Sequence, residues 1–449
     1  MTNSSKSFLD WPHQAPSAAV HTLADAHFVL GLELGPPAWW QQWQRDRLGQ
    51  LLQWLQAQAW WQTWQSARPA SSASELSSHT ILSELPMMRR EDFRTLVASH
   101  AAAVPPEHGV LHTHQSSGSA GVPVSFSRSE LANRINTSHY WADHQRQGRD
   151  LHASMAVITG TPGEHSGSHL EITGDPWLHP AMQLGRNAPQ FTMLEHAHWL
   201  CKTAPAYWAT TPATLSAVIS LIKLKGLIAP RITQVLTSSH AVEPALRERT
   251  RRVLGGASIR DRYSCEEVGP IAFQCPESDD YYHVAVANVM VEITDDQGSP
   301  VAEGKSGNVL ITGLHQWASP AIRYDLGDIA TGHNQCPGCG ATVPALSKLL
   351  GRKYFLVNEG SGSVRHVRLL AEHWLACGPV REHRVVQTGA QSFRVEVVMD
   401  HVMTSSQGLA MQAMLKRVVG PEFTFGLMQL EAILWPAGTK RQEFVGLLP

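Results

Sequence analysis

Arg323-Tyr324-Asp325-Leu326-Gly327-Asp328 is the stretch on which the reading of this chain turns. A carboxylate held just after a glycine can accept two hydrogen bonds at once, and a sugar diol offers two donors. The plain alternative is a turn aspartate, since Asp and Gly are ordinary turn residues. Two upstream stretches favour the first reading. Ser116-Ser117-Gly118-Ser119-Ala120-Gly121-Val122-Pro123 is rich in hydroxyls and glycine. Glycine lets backbone N–H groups approach an anion closely, and hydroxyls add rotatable donors. The Gly-Lys-Ser/Thr ending is absent, so this is not a Walker A loop. Tyr263-Ser264-Cys265-Glu266-Glu267 then sets two carboxylates just after an aromatic residue. Beside phosphates, Mg²⁺ takes one or two carboxylates together with phosphate oxygens and water.

The rest of the chain narrows the class. At 449 residues it is long enough for two or three domains. Its 36 Lys and Arg nearly balance 38 Asp and Glu, and no basic run appears, so nucleic acid is not an expected partner. Met1 to Ala19 is polar and broken by Pro12 and Pro16, unlike a secretory signal. The apolar run Leu215 to Ile228 is interrupted by Lys223 and Lys225, and no stretch of about 18 apolar residues occurs. A cytoplasmic protein with no membrane partner is expected. Six cysteines in this length do not make a disulfide scaffold. The pairs His112/His114 and His196/His198 read as surface or pocket residues, since side chains two apart share a face only on a strand.

Patterning predicts an α/β architecture with a mixed sheet. Apolar residues three and four apart predict amphipathic helix over Pro37–Arg68, and Leu82–His100 reads as helix again. Beyond Val110, short apolar runs alternate with helical patterns. Strands are expected at Met155–Ile158, Ile232–Leu236, His283–Thr294 and Asn308–Thr312. Helices are expected at Thr211–Leu227, with Thr211 as N-cap, and at Glu243–Leu254 before Gly255-Gly256. After Arg352 come strand candidates Arg384–Val386 and Phe393–Met399, a helix Gln407–Val419 and a last strand before Pro436.

Taken in order, these motifs resemble the adenylate-forming (AMP-binding) superfamily and, within it, the phenylacetate–CoA ligase-like branch. The resemblance runs from about Pro105 to the C-terminus. It implies a large N-terminal adenylation domain of mixed sheets and helices over residues 1–352, with 1–100 a mostly helical lead-in. A small α+β lid domain follows over 353–449. It also implies that Ser116, Ser117, Gly118, Ser119 and Gly121 cradle the phosphates of ATP. Tyr263 would lie along the adenine, Glu267 would help hold Mg²⁺, Asp328 would grip the ribose and Arg352 would stand near ribose and phosphate. Lys353 falls at the family's hinge. The chain departs from the family at Val122, where lysine is usual, and at Ser264 and Glu266.

Pro436-Ala437-Gly438-Thr439-Lys440-Arg441 resembles the family's closing Gly-Lys segment, which makes Lys440 the catalytic cation. Negative charge builds on the α-phosphoryl oxygens as pyrophosphate leaves, and a positioned cation stabilises it. Separately, Cys336-Pro337-Gly338-Cys339 is a C-x₂-C pair, which Cys275 and His283 complete as Cys₃His, a set suited to structural Zn²⁺. A redox pair or a zinc deaminase fits less well, for want of a thioredoxin-like start or a nearby His-x-Glu.

The implied activity is ATP-dependent activation of a carboxylic acid, with an aromatic one expected, followed by transfer to coenzyme A. An amine or hydroxyl acceptor, or a nucleotide-binding relative without turnover, is the alternative. A homodimer is compatible with the sequence, which carries no signal for the assembly.

Overall fold

The computed structural model describes residues 17–66, 82, 85–99, 102–116, 124–150, 153–159, 164–167, 183–187, 191–239, 242, 244–352, 356–358, 364–367, 369, 373–374, 376–399, 401–431, 433 and 444–446. The tryptophan-rich lead-in forms helices α1 (Ser17–Leu34), α2 (Pro37–Gln56) and α3 (Ala59–Ser66). Pro37 opens α2, where its missing N–H costs nothing, and Leu48, Leu51, Leu52 and Leu55 form the buried stripe. The expected single helix stops at Ala57. There Gln58 and Gln62 side chains donate to the Trp54 and Gln56 carbonyls at 3.3 and 2.7 Å, satisfying groups that a continuing helix would have used.

The expected helix at Leu82–His100 is realised only as α4 (Arg90–Ser99). Just ahead of it, Met88 pairs with a strand instead, because tertiary pairing competes successfully with helix formation. Met88 N donates to Arg323 O at 3.0 Å and Asp325 N donates to Met88 O at 2.9 Å, a parallel bridge between Met88 and Tyr324.

Two short strands, β1 (Leu111–Gln115) and β2 (Ser125–Ser129), pair antiparallel and lead into α5 (Glu130–Arg146), which is capped by the Ser129 side chain. Then β3 (Met155–Thr159), β4 (Glu164–Gly167), β5 (Gln183–Asn187), α6 (Met193–Thr203), β6 (Tyr207–Thr210), α7 (Pro212–Leu224), β7 (Gln234–Ser238), α8 (Pro244–Val253) and β8 (Ser258–Cys265) alternate. Strands β5, β3, β6, β7 and β8 are parallel neighbours, as helical crossovers require. Thr211 caps α7, as the sequence predicts.

The same sheet continues antiparallel through β9 (Gly269–Gln274), β10 (Tyr281–Val284), β11 (Val289–Thr294), β12 (Ser306–Gly313), β13 (Tyr324–His333) and β14 (Ala345–Arg352). Among the described residues its order is β11-β12-β13-β14-β10-β9-β8-β7-β6-β3-β5-β4. One expectation fails here. His283–Thr294 is two strands far apart in the sheet, with β10 beside β9 and β14 and β11 at the edge beside β12. Asn288 makes the break: its amide donates to the Val268 and Pro270 carbonyls at 3.0 and 2.7 Å while its own N–H closes a turn onto Ala285. Apolar residues continue through that turn, so periodicity does not reveal it.

The C-terminal residues form β15 (Leu356–Asn358), β16 (Val364–His366), β17 (Val380–Gly389), β18 (Ser392–Met399), α9 (Ser405–Val418), β19 (Thr424–Gln429) and β20 (Phe444–Val445). A four-stranded sheet β19-β18-β17-β20 packs with α9 around its own cluster, including Phe393, Val395, Met411, Leu415 and Phe423. The architecture is mixed α/β with a smaller α+β part. No helix of the described residues is long and apolar enough to cross a membrane.

Candidate functional site

Strand β8 ends at Cys265, and the chain turns through Glu266–Val268 into β9. That turn needs Gly269. Its φ is +82°, and a Cβ there would stand 2.4 Å from the amide of Asn136 on α5. The turn presents Glu267, which is buried and accepts from the Tyr324 hydroxyl at 3.3 Å. Burial, and then the Glu267 carboxylate, push the Tyr324 pKa up, so its hydroxyl stays a donor. Arg128 on β2 donates to the Glu266 carbonyl from the other side.

Across the sheet, Tyr263 donates its hydroxyl to Asp328 Oδ2 at 2.7 Å. Asp328 lies on β13, in register with Arg352 on β14. Gly327 just before it has φ +72°, which a side chain would resist. Ser116 closes the end of β1: its N–H donates to Val124 O at 2.9 Å, and its Oγ accepts from Val124 N at 3.0 Å. It thereby pins the start of the hydroxyl-rich loop. Ser117, Gly118, Ser119, Gly121 and Val122 lie outside the described residues, as do Lys353 and Lys440.

Tyr263, Glu267, Ser116 and Asp328 therefore belong to one linked group of segments. The sequence does not disclose Arg90, at the start of α4. Its Nη2 donates to Ser116 Oγ at 2.9 Å and its Nη1 is 3.5 Å from Glu267 Oε1. In sequence it belongs to Arg89-Arg90-Glu91-Asp92, which reads as the solvated face of a helix, and nothing local singles it out. Arg323 has a different office from its motif neighbours. Buried at a φ of +43°, it binds Glu292 at 3.1 Å and donates to the Leu85 and Gly298 carbonyls. It clamps the segment before α4 rather than reaching the site.

By their position between the motifs, Trp199, Tyr207, Trp208 and His240 are candidates for an aromatic substrate pocket, and the structure divides them. Trp208 is wholly buried in the core around α7, and Trp199 packs against the same cluster. Tyr207 accepts from Asp150 N at 2.8 Å, and His240 lies outside the described residues.

A second group lies where β9, β10 and β14 run side by side. Cys275 follows β9, His283 is on β10, and Cys336 and Cys339 precede β14. Their ligand atoms all fall within 4.8 Å of one another, and Cys339 Sγ is 3.3 Å from His283 Nε2. Gly340 N donates to Cys336 O at 2.8 Å with φ +75°, folding the C-x₂-C knuckle back on itself. Burial, helped by Arg146, pushes His283 down to about 4, so its ring is neutral at neutral pH. Burial pushes the Cys339 thiol up to about 12, and Cys275 upward too. Three thiols and a neutral imidazole in so small a space match the donors and size of a tetrahedral metal site.

No family model matches the chain. Over 283 residues it is 26% identical to a phenylacetate-coenzyme A ligase of Thermus thermophilus, a match covering 60% of this chain and 61% of that one. Over 286 residues it is 27% identical to the phenylacetate-coenzyme A ligase of Escherichia coli, again covering 60% and 61%. The matched stretch thus spans about three fifths of these curated relatives. Among solved structures, 2-hydroxyisobutyryl-CoA ligase in its postadenylation state superposes with a TM-score of 0.66 at 19% identity, covering 93% of this chain and 91% of that one. O-succinylbenzoate coenzyme A synthetase of Bacillus subtilis, in complex with ATP and magnesium, gives 0.50 at 14% identity over 74% and 68%. The chain is therefore related in sequence, over three fifths of its length, to phenylacetate-coenzyme A ligases and shares the fold of 2-hydroxyisobutyryl-CoA ligase.

Proposed function

We propose that this chain activates a carboxylic acid with ATP, releasing pyrophosphate, and passes the acyl group from the adenylate to coenzyme A. The observation that carries this reading is the convergence of Asp328, Tyr263, Glu267 and Ser116, drawn from three remote motifs, on linked segments. Asp328 accepts bonds from the ribose hydroxyls, with Tyr263 steadying the carboxylate. Ser116, Ser117, Gly118, Ser119 and Gly121 donate to the phosphates. Glu267 would hold Mg²⁺ beside them, a hard cation suited to carboxylate and phosphate oxygens. The substrate carboxylate attacks the α-phosphorus and pyrophosphate leaves. Lys440 stabilises the charge that grows on the α-phosphoryl oxygens. The coenzyme A sulfur then attacks the acyl carbonyl and AMP departs. Residues 353–449 form the lid that brings Lys440 in and moves away between the two steps. Both co-substrates are cytoplasmic metabolites, and we place the chain there.

Cys275, His283, Cys336 and Cys339 would hold Zn²⁺, which supplies cross-linking rather than catalysis. It would tie the segment after β9 to the segment before β14 and so stiffen the strands beside the Glu267 turn and Asp328.

The test is pyrophosphate release across a panel of aryl, arylacetyl and aliphatic carboxylates, followed by an acceptor panel of coenzyme A, amines and alcohols. An acyl-adenylate that only coenzyme A consumes supports the reading. Consumption by an amine or alcohol alone replaces the acceptor. No calorimetric binding of Mg–ATP or of an acyl-sulfamoyl-adenosine mimic removes the reading altogether.

A further inference from the structure

We infer that Arg90, delivered by the N-terminal lead-in, is the polyphosphate-facing cation of this site and stands in for the positive charge that the hydroxyl-rich loop lacks at Val122. The inference rests on the proposed use of ATP at this site.

Three observations lead to it. The first is position. One guanidinium spans the two groups that the phosphates must lie between: Nη2 donates to Ser116 Oγ at 2.9 Å and Nη1 is 3.5 Å from Glu267 Oε1. Ser116 begins the loop read as the phosphate cradle, and Glu267 is the carboxylate read as the Mg²⁺ ligand. A forked, permanently charged group at that junction can reach phosphate oxygens with small movement, and guanidinium suits such oxygens geometrically.

The second is delivery. Arg90 opens α4, and the residues ahead of it are locked to the strand that carries Asp328. Met88 exchanges backbone hydrogen bonds with Arg323 and Asp325, and the buried Arg323 side chain holds the Leu85 carbonyl at 2.8 Å. Phe93, one turn further, is buried against Tyr324 with ring centroids 5.3 Å apart. The lead-in is thus a built part of the site, and Arg90 is held rather than roaming.

The third is charge balance. Arg90 has only partial exposure, and Glu267 is buried beside it. A cation beside Glu267 orients that carboxylate and offsets its charge before any metal arrives. With Mg–ATP bound, Glu267 would hold the metal and the Arg90 guanidinium would face the β- and γ-phosphates. The loop itself carries no lysine or arginine from Ser116 to Pro123.

The experiment compares wild type, Arg90→Gln, Arg90→Lys and Arg90→Gln/Val122→Lys by calorimetry, with Mg–ATP and with AMP as separate ligands. AMP shares the adenine, ribose and α-phosphate but lacks the β- and γ-phosphates. Arg90→Gln keeps a donor for Ser116, so the fold is retained, and a melting curve within a few degrees of wild type confirms it. The expected result is a loss of about tenfold or more in Mg–ATP affinity, the scale of one charge-assisted hydrogen bond, with AMP affinity changed less than about twofold. Arg90→Lys falls between. Adding Val122→Lys restores most of the Mg–ATP affinity, which a packing defect at Arg90 would not allow. Equal losses for both nucleotides, no loss for Mg–ATP, or no rescue by Val122→Lys overturns the inference. If wild type binds neither nucleotide, the proposed use of ATP fails instead, which separates the two outcomes.

Discussion

The Tyr263 hydroxyl and the Asp328 carboxylate are 2.7 Å apart although 65 residues separate them in the chain. The bond joins β8 to β13, which are not neighbours in the sheet. It turns one carboxylate oxygen toward the tyrosine and fixes the plane of the group. A carboxylate oriented in advance loses less freedom when a diol binds.

Removing that carboxylate should weaken every ligand with a ribose. For Asp328→Ala we expect AMP and Mg–ATP to bind at least about tenfold more weakly, and for Tyr263→Phe a loss of only a few-fold, since one orienting bond is lost and the acceptor remains. Calorimetric titration with both nucleotides measures this. Unchanged AMP affinity in Asp328→Ala would remove Asp328 from the ribose.

Lys440→Ala should reduce pyrophosphate release by at least about a hundredfold while Mg–ATP binding stays near wild type. A cation that acts only on charge developing in the transition state contributes little to ground-state binding. Single-turnover pyrophosphate assays beside equilibrium binding decide the matter. Full turnover by the variant takes Lys440 out of the mechanism.

The Cys₃His group should carry one equivalent of zinc by elemental analysis, and Cys336→Ser should lose it. Chelation should lower the melting temperature without exposing the protein to any other change, because binding free energy at such a site is folding free energy. Three thiols of the group that react freely with a thiol reagent, with a melting curve indifferent to chelator, would contradict the assignment.

Gly269→Ala should destabilise the protein by about 1–3 kcal/mol from the left-handed backbone alone. The Asn136 amide, 2.4 Å from the new Cβ, adds to this by forcing the turn off α5. Since that turn presents Glu267, the Mg²⁺ dependence of Mg–ATP binding should weaken as well. Denaturant melts and a Mg²⁺ titration test the two effects; wild-type behaviour in both would show that the turn relaxes freely.

His139 gives a pH signature. It is buried beside Phe273, with neither ring nitrogen bonded, and burial, reinforced by Arg146 and His315, pushes its pKa down from 6.5 to about 3. Its ring is neutral in the folded protein, whereas the unfolded chain takes up a proton as pH falls below about 6.5. Its contribution is therefore intact above that pH and is lost as pH drops toward 3, at up to about 1.4 kcal/mol per unit. His139→Leu should flatten the acid limb of a stability–pH curve and raise stability at neutral pH by about 1 kcal/mol, since two unsatisfied nitrogens disappear. An unchanged acid limb would assign the sensitivity to other groups.

How much of this could be read in the chain depends on the range of the signal. Asp328, Glu267, Tyr263 and Ser116 stand within short motifs, where neighbouring residues limit the possible conformations, so their order alone singled them out as candidates for one site, and their segments are linked in the fold. The C-x₂-C pair is likewise a local signal, and Cys275 with His283 followed from the chemistry of the donors. The break at Asn288, the pairing of Met88 ahead of α4, and Arg90 carry no such signal. Each is set by hydrogen bonds between residues tens to hundreds of positions apart, in competition with a local preference that pointed elsewhere. By itself the amino-acid order determined which side chains to propose as one site, because that information lies in adjacent residues. Only the tertiary structure decided that a charged residue from the helical lead-in stands among them, because sheet pairing places Met88 beside Arg323 and no periodicity encodes that meeting.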